Sequence, residues 1–167
     1  MNYSIRRSDS RDVPSVTELL QASYPALLKA AYEPGALDLA LKLLTRANPN
    51  LLSSGTYYVA EATDGTLIGC GGWTHEPPGV DDSPERGVGH IRHFAVHPGW
   101  IRRGIGSAIY QLCEADARTA GIRMFECYAT LNAESFYSAL GFERIAILDV
   151  QLTRRVSLAG CHMCRRL

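Results

Sequence analysis

Between Gly89 and Ser107 the chain passes from a β-forming run, through a short basic loop bearing glycine, into an amphipathic helix. No other stretch constrains the fold as strongly. Residues His90 to Val96 are rich in β-branched, aromatic and histidine side chains, and Pro98 and Gly99 close the run as a turn closes a strand. Ile105, Ala108, Ile109, Leu112 and Ala115 then recur at spacings of three and four. That periodicity predicts a helix from about Gly104 to Ala120 with one apolar face.

The first turn of a helix carries N–H groups without intrahelical partners, and the macrodipole adds partial positive charge there, so such an end attracts anions. Gly104 and Gly106 have no Cβ to keep a bulky anion off the backbone. Arg102 and Arg103 add guanidinium groups whose charge and geometry match phosphate oxygens. Two glycines and two arginines also make an ordinary soluble turn; it is the order strand, loop, arginine pair, Gly-x-Gly and helix that marks a phosphate cradle. A P-loop is excluded, because no Gly-Lys-Ser/Thr ending is present. The dinucleotide fingerprint fits poorly: Ile109 holds its third glycine position, and the loop after Val96 is too long. Glu126, however, follows Gly106 at about the interval of a ribose-binding acid. A dinucleotide-binding oxidoreductase or sensory domain built on Gly104, Gly106 and Glu126 therefore stays open as the alternative.

Val96-His97-Pro98, Trp100 and Arg102-Arg103-Gly104-Ile105-Gly106-Ser107 resemble the acyl-CoA-binding segment of the GNAT N-acetyltransferase superfamily, whose signature is Gln/Arg-x-x-Gly-x-Gly/Ala. Asn132 to Phe142, with Tyr137 at its centre, resembles that family's second motif. Ile101 departs from the signature's Gln or Arg, which removes one side-chain contact and leaves the backbone donors in place.

The chain's 167 residues are enough for one domain over 1–167 with a proper core. With 17 basic and 17 acidic residues the formal charge is zero, which argues against bulk electrostatic binding of nucleic acid. No apolar run approaches membrane-spanning length, and the N-terminus lacks a signal-peptide core, so a cytoplasmic protein is expected. The five cysteines are scattered, and reduced thiols are the default. Cys161 and Cys164 form a Cys-x-x-Cys, but in a strand they would face opposite sides, so no metal site is expected.

In order, the pattern predicts a strand from Asn2 to Arg7 and a helix capped by Asp9 or Ser10, with Val13, Val16, Leu19 and Leu20 buried. Pro14 suits its first turn, Pro25 should interrupt it, and Pro34-Gly35 reads as a break. A second helix is expected over Ala36 to Arg46, and Asn48 to Gly55 reads as punctuation. Strands at Thr56 to Ala62 and Thr66 to Thr74 should join at Asp64-Gly65, followed by a Pro-rich acidic loop from His75 to Gly87. Beyond the cradle helix come a strand at Ile122 to Tyr128, a short helix capped by Asn132, and strands at Phe142 to Leu152 and Val156 to Arg166. The fold expected is α/β (α+β): a mixed, mostly antiparallel sheet of six or seven strands, a parallel pair at the cofactor site, and about four flanking helices. This is the arrangement of the resembled family.

The resemblance implies acetyl transfer from acetyl-CoA to an amine of a small-molecule or peptide acceptor, in a ternary complex and without a metal. It implies that the donor's arm runs along Phe94, Ala95 and Val96, with a backbone N–H of Ala95 or Val96 as oxyanion donor. Its phosphates would lie on Arg102, Arg103, Gly104, Ile105, Gly106 and Ser107, with Asn132 nearby. Tyr137 matches the family's general acid, since a phenol of pKa about 10 stays protonated at neutral pH and can donate to the departing sulfur. His90 falls where several members have a glutamate base, and imidazole suits proton relay; His93 and Glu126 are weaker candidates. Strand alternation places His90, Arg92 and Phe94 on one face and Ile91 and His93 on the other. In the family the first helical region covers the acceptor groove, which draws in Tyr24, Leu27, Leu28, Tyr32 and Leu37. The acidic loop would favour a cationic amine, and the apolar run Ile145 to Val150 permits a homodimer.

Overall fold

The computed structural model describes residues 3–78 and 83–167. Asn2, the expected start of the first strand, and the centre of the acidic loop lie outside the described residues. Seven strands and five helices follow in the order β1 (Tyr3–Arg7), α1 (Val13–Leu28), α2 (Pro34–Leu44), α3 (Pro49–Leu52), β2 (Tyr57–Ala62), β3 (Leu67–Thr74), β4 (Val88–Val96), α4 (Ile105–Thr119), β5 (Met124–Thr130), α5 (Glu134–Ala139), β6 (Glu143–Thr153) and β7 (Val156–Arg166). The sheet order is β1-β2-β3-β4-β5-β7-β6. Every neighbouring pair is antiparallel except β4 with β5, which α4 connects as a crossover.

Local chemistry explains most element boundaries. The Asp9 side chain accepts from the Arg11 N–H and Asp12 accepts from the Asp9 N–H, a reciprocal cap on the short turn that leads into α1. Arg6 grips the Asp12 carboxylate with two N–H donors at 2.9 and 2.7 Å, tying β1 to that turn. Pro25 does not interrupt α1. It lies near the end of the helix, where burial of Leu28 and the bond from the Ser23 hydroxyl to the Val96 carbonyl hold the last turns in place. Pro34-Gly35 begins α2 rather than breaking the chain, because proline at the first helical position gives up an N–H that has no partner there. The stretch after Asn48 holds a fifth helix, a single turn that the Asn48 side chain caps and that buries Leu51 and Leu52.

The sheet is covered on both faces. Against one face, Ile105, Ile109, Tyr110, Cys113 and Ala117 of α4 pack on Ile68, Trp73, Phe125 and Met163, with Tyr137 and Phe142 closing the layer. Trp73, Tyr110 and Phe125 are each fully buried, and side chains of this size contribute roughly 2–3 kcal/mol apiece. The other face carries a second cluster, in which Val16, Leu19 and Leu20 of α1 and Leu51 and Leu52 of α3 meet Tyr57, Val59 and Cys70.

Two irregularities in β4 open the sheet. Cys70 pairs with Ala95 and Gly72 with Arg92, so His93 and Phe94 together oppose the single residue Gly71. His93 has a φ of 45°, the left-handed conformation of a bulge, and the Tyr57 hydroxyl donates to its carbonyl at 2.8 Å. Strict alternation therefore fails here: Phe94 and Ile91 belong to the same cluster, on the α4 side, not to opposite faces. The β4–β5 ladder runs only from Val88↔Met124 to His90↔Glu126. Beyond it the two strands diverge, and the gap is the site.

Candidate active site

The divergence leaves two cavities that meet inside the protein. The larger, about 380 Å³, runs from the end of β4 to the start of α4 and is lined by Phe94, Ala95, Val96, Arg102, Gly104, Ile105, Gly106, Ser107 and Asn132 among others. The smaller, about 160 Å³, lies between β4 and β5 and is lined by Arg92, His93, Tyr128, Val150 and their neighbours. Tyr24, Phe94, Thr130, Ala133 and Tyr137 line both, so these five residues form the junction.

At the mouth of the larger cavity α4 begins without a side-chain cap and without an acid in its first turn. Gly104, its N-cap, has a φ of 79°, and a Cβ there would point into open space. Conformation, not crowding, demands glycine at that position. Gly106 is small for another reason: a Cβ would meet the Phe136 ring at 3.1 Å. The first N–H groups of α4 thus face the cavity with no competitor from their own helix, and Arg102 stands beside them. Arg103 does not line the cavity; its guanidinium lies over the Trp100 ring at 4.8 Å, and Trp100 forms part of the wall. Asn132 lines the cavity but does not cap α5. It sits within a short turn over Leu131–Ala133, and the residue before α5 is Ala133.

Along the wall, α1 holds the end of β4 by its carbonyls. Ser23 donates to the Val96 carbonyl at 2.9 Å and Tyr24 reaches the Phe94 carbonyl at 3.5 Å. The His97 N–H donates to the Ile68 carbonyl on β3. Since successive N–H groups of a strand alternate in direction, the Val96 N–H turns away from β3 toward the gap and that of Ala95 does not. Of the two oxyanion donors expected, the geometry favours Val96.

Tyr137 lies at the junction, 95% shielded from solvent, with the rings of Phe94, Phe136 and Phe142 around it. Burial pushes its phenol well above the usual value, so it keeps its proton throughout the neutral range. His93 lines the smaller cavity, and burial followed by the charge of Arg92 lowers its imidazole to about 4. At neutral pH it is uncharged.

His90 lines neither cavity. It is buried in register with Glu126, its Nδ1 3.7 Å from one carboxylate oxygen, while Nε2 of His162 lies 3.7 Å from the other. His162 stacks on Tyr128, with ring centroids 4.7 Å apart, and Tyr128 faces the smaller cavity. Glu126 is therefore the centre of a histidine pair and does not line the cavity that Gly104 and Gly106 share. This removes the ribose-binding acid that the dinucleotide alternative needs, and a mostly antiparallel sheet is not the doubly wound parallel sheet of such domains. Of the residues expected over the acceptor groove, Tyr24 lines both cavities, and Leu27 and Leu28 line the larger one. Leu37 is core, and the Tyr32 hydroxyl pins Ala159 to Leu131. Ser23, Arg92, Tyr128 and His162 escaped the sequence reading as site residues. Arg92 alone left a trace there, its placement on the face of His90. Among the described residues no group of histidines, cysteines and acids is arranged to hold a metal, and no helix is long and apolar enough to cross a membrane.

Known proteins share this architecture. The PaiA N-acetyltransferase of Thermoplasma acidophilum, solved in complex with coenzyme A, superposes with a TM-score of 0.73 at 16% identity over the whole of both chains. A GCN5-related N-acetyltransferase structure from Rhodopseudomonas palustris gives 0.76 at 20% identity, covering 100% of this chain and 97% of that one. A phosphinothricin acetyltransferase of Sinorhizobium meliloti, solved with AcCoA, gives 0.67 at 22% identity, covering 100% of this chain and 89% of that one. No curated protein matches the chain in sequence. The model of the Acetyltransferase (GNAT) family matches residues 13–142, a span from the first helix to the end of the Tyr137 segment that holds every residue lining the larger cavity. The chain belongs to that family and is an acyltransferase of the N-acetyltransferase type.

Proposed function

We propose that the protein transfers an acetyl group from acetyl-CoA to the amine of a small acceptor, with the donor in the larger cavity and the acceptor in the smaller. The observation that carries this reading is the meeting of the two cavities at Tyr137 and Phe94. The larger cavity suits the donor: an apolar wall of Phe94, Val96, Ile105 and Phe136 leads to an uncapped helix start beside Arg102, where a pyrophosphate finds N–H donors and a cation. Structurally similar proteins solved with coenzyme A or AcCoA support the same donor. Acetyl-CoA supplies the acetyl group as a thioester.

In this reading the acceptor amine attacks the thioester carbonyl directly, the carbon–sulfur bond breaks, and no covalent bond to the enzyme forms. The Val96 N–H stabilises the charge that develops on the carbonyl oxygen. Tyr137, held protonated by burial, donates its proton to the leaving sulfur. The amine gives up a proton into the smaller cavity, and one returns to the Tyr137 phenolate, whose raised pKa favours the protonated form, to close the cycle. His90 is linked to the cavity-lining Tyr128 through Glu126 and His162, so we assign it a positioning role without substrate contact. Cys127, buried, with its thiol pushed far up by burial, has no part as a nucleophile.

The test is a thiol-release assay with acetyl-CoA over a panel of primary amines. Release that depends on the amine supports the reading, and hydrolysis at the same rate with and without every amine would count against it.

A further inference from the structure

Among the described residues lining the smaller cavity, Arg92 carries the permanent charge. Its mounting is rigid. Nη1 donates to the Thr74 hydroxyl at 3.0 Å, and that hydroxyl in turn donates to the Glu76 carbonyl at 2.7 Å; among the described residues the rest of the guanidinium fork has no hydrogen-bond partner. Other arginines that bury part of their length are paired: Arg6 with Asp12 and Glu61, and Arg165 with Glu114 at 3.0 Å. Arg92 has no carboxylate at ion-pair distance among the described residues. Burial lowers its pKa, and the attraction of Glu76 only partly offsets that. His93 beside it is neutral at pH 7 and adds no charge of its own. A partly buried cation that lines a cavity and has, among the described residues, unused donors and no carboxylate partner is a site for an anion.

We propose that the acceptor is a small amino acid, and that Arg92 binds its carboxylate while its amine lies at the junction beside Phe94 and Tyr137. The proposal rests on the acetyltransferase reading for the assignment of the smaller cavity to the acceptor. Arg92 and Phe94 both line this one small cavity, so the anion site and the reacting end lie within one small molecule's length. A cavity of about 160 Å³ holds about six heavy atoms, by comparison with cavities that take benzene. The planar fork of arginine matches a carboxylate in two parallel hydrogen bonds, a match that lysine does not provide. A polyamine, which the acidic loop alone would favour, meets a fixed positive charge here instead.

The experiment is calorimetric titration of the full chain, saturated with CoA, with four sets of amines: free α-amino acids, their carboxamides, their aminophosphonate analogues, and spermidine. At least one amino acid is expected to bind about 10- to 100-fold more tightly than its carboxamide and than spermidine, the range of a charge-assisted pair. In Arg92→Gln the difference should vanish, in Arg92→Lys it should shrink, and Thr74→Val, which loosens the mounting without touching the cavity's charge, should weaken it several-fold. Should Arg92→Gln not fold, Thr74→Val and Arg92→Lys carry the comparison. Equal binding of acids and carboxamides, tighter binding of spermidine or of the phosphonates alone, an unchanged preference in the variants, or no binding by any amino acid would each overturn the proposal. CoA binding is titrated first and separately. Its failure strikes the acetyltransferase reading, whereas the acid-to-amide comparison strikes only Arg92.

Discussion

The ring of Phe94 occupies the space that a side chain at Gly71 would need: a Cβ built there lies 2.6 Å from the ring carbons. The bulge at His93 throws Phe94 onto the α4 face directly over Gly71, so the absent side chain on β3 and the extra residue on β4 are two halves of one device. Gly71→Ala must displace Phe94, which belongs to the junction of both cavities. We expect a loss of about 1–3 kcal/mol of stability, the usual cost of overpacking, and a fall in kcat/KM larger than that of an overpacked site elsewhere in the core. Thermal unfolding and steady-state kinetics on the same preparation check both. Unchanged kinetics would detach Phe94 from the chemistry.

Tyr137→Phe removes a hydroxyl and leaves a ring of the same shape among Phe94, Phe136 and Phe142. The fold should be kept and kcat should fall about 10- to 1000-fold, with the Kd for acetyl-CoA nearly unchanged. A fully active variant would make Tyr137 a packing residue.

Much of this architecture is legible in the sequence. The strand, loop and helix of residues 89–107 announce themselves because period two gives way to period 3.6 across a glycine-bearing loop, and the sheet follows from strands punctuated by Asp64-Gly65, Gly121 and Gly141. The bulge is not legible. Nothing in His-Phe-Ala-Val reports that His93 adopts a positive φ, and one such residue reverses the facing of all that follow it. For the same reason the placement of Phe94 beside His90 and Arg92 fails. Pro25 shows tertiary burial outweighing a local breaker, and Pro34-Gly35 shows a dipeptide that reads as a break opening a helix instead. At the site, Gly104 and Gly106 look alike in the motif yet serve different ends, one a backbone conformation and the other the room for Phe136. Arg92 escaped because a charge on a strand is ordinary until its missing partner is known.

His93 links the bulge to pH. Its folded-state pKa is depressed to about 4, below the usual 6.5, so between those values the unfolded chain binds more protons than the folded one. The contribution is fully present above pH 6.5 and is lost as pH falls through that window toward 4. The expected loss is on the order of 3 kcal/mol. His93→Asn, which tolerates a positive φ and does not titrate, should flatten that part of the stability curve. Chemical denaturation at pH 7 and pH 4.5 compares the two proteins; parallel curves would contradict the assignment.

His90→Ala takes away the imidazole beside Glu126. Acting through that carboxylate, His90 should leave the affinity for acetyl-CoA unchanged while the acidic limb of the kcat/KM profile shifts or disappears. A uniform drop at every pH would mean that it supports the sheet and nothing more.

Ser107 separates folding from binding. It stands third in α4, where an acid favours the helix through the macrodipole and repels a phosphate. Ser107→Asp should leave Tm unchanged or slightly higher while weakening CoA binding by about 10-fold or more, a pair of opposite signs that general damage does not produce.

The most direct measurement is calorimetric titration of the unaltered protein with acetyl-CoA, run beside NAD and NADP. The account predicts one site of micromolar affinity for acetyl-CoA and no heat from either dinucleotide. Absence of acetyl-CoA binding, or tight binding of a dinucleotide in its place, would contradict the assignment of the larger cavity and the acetyl transfer built upon it.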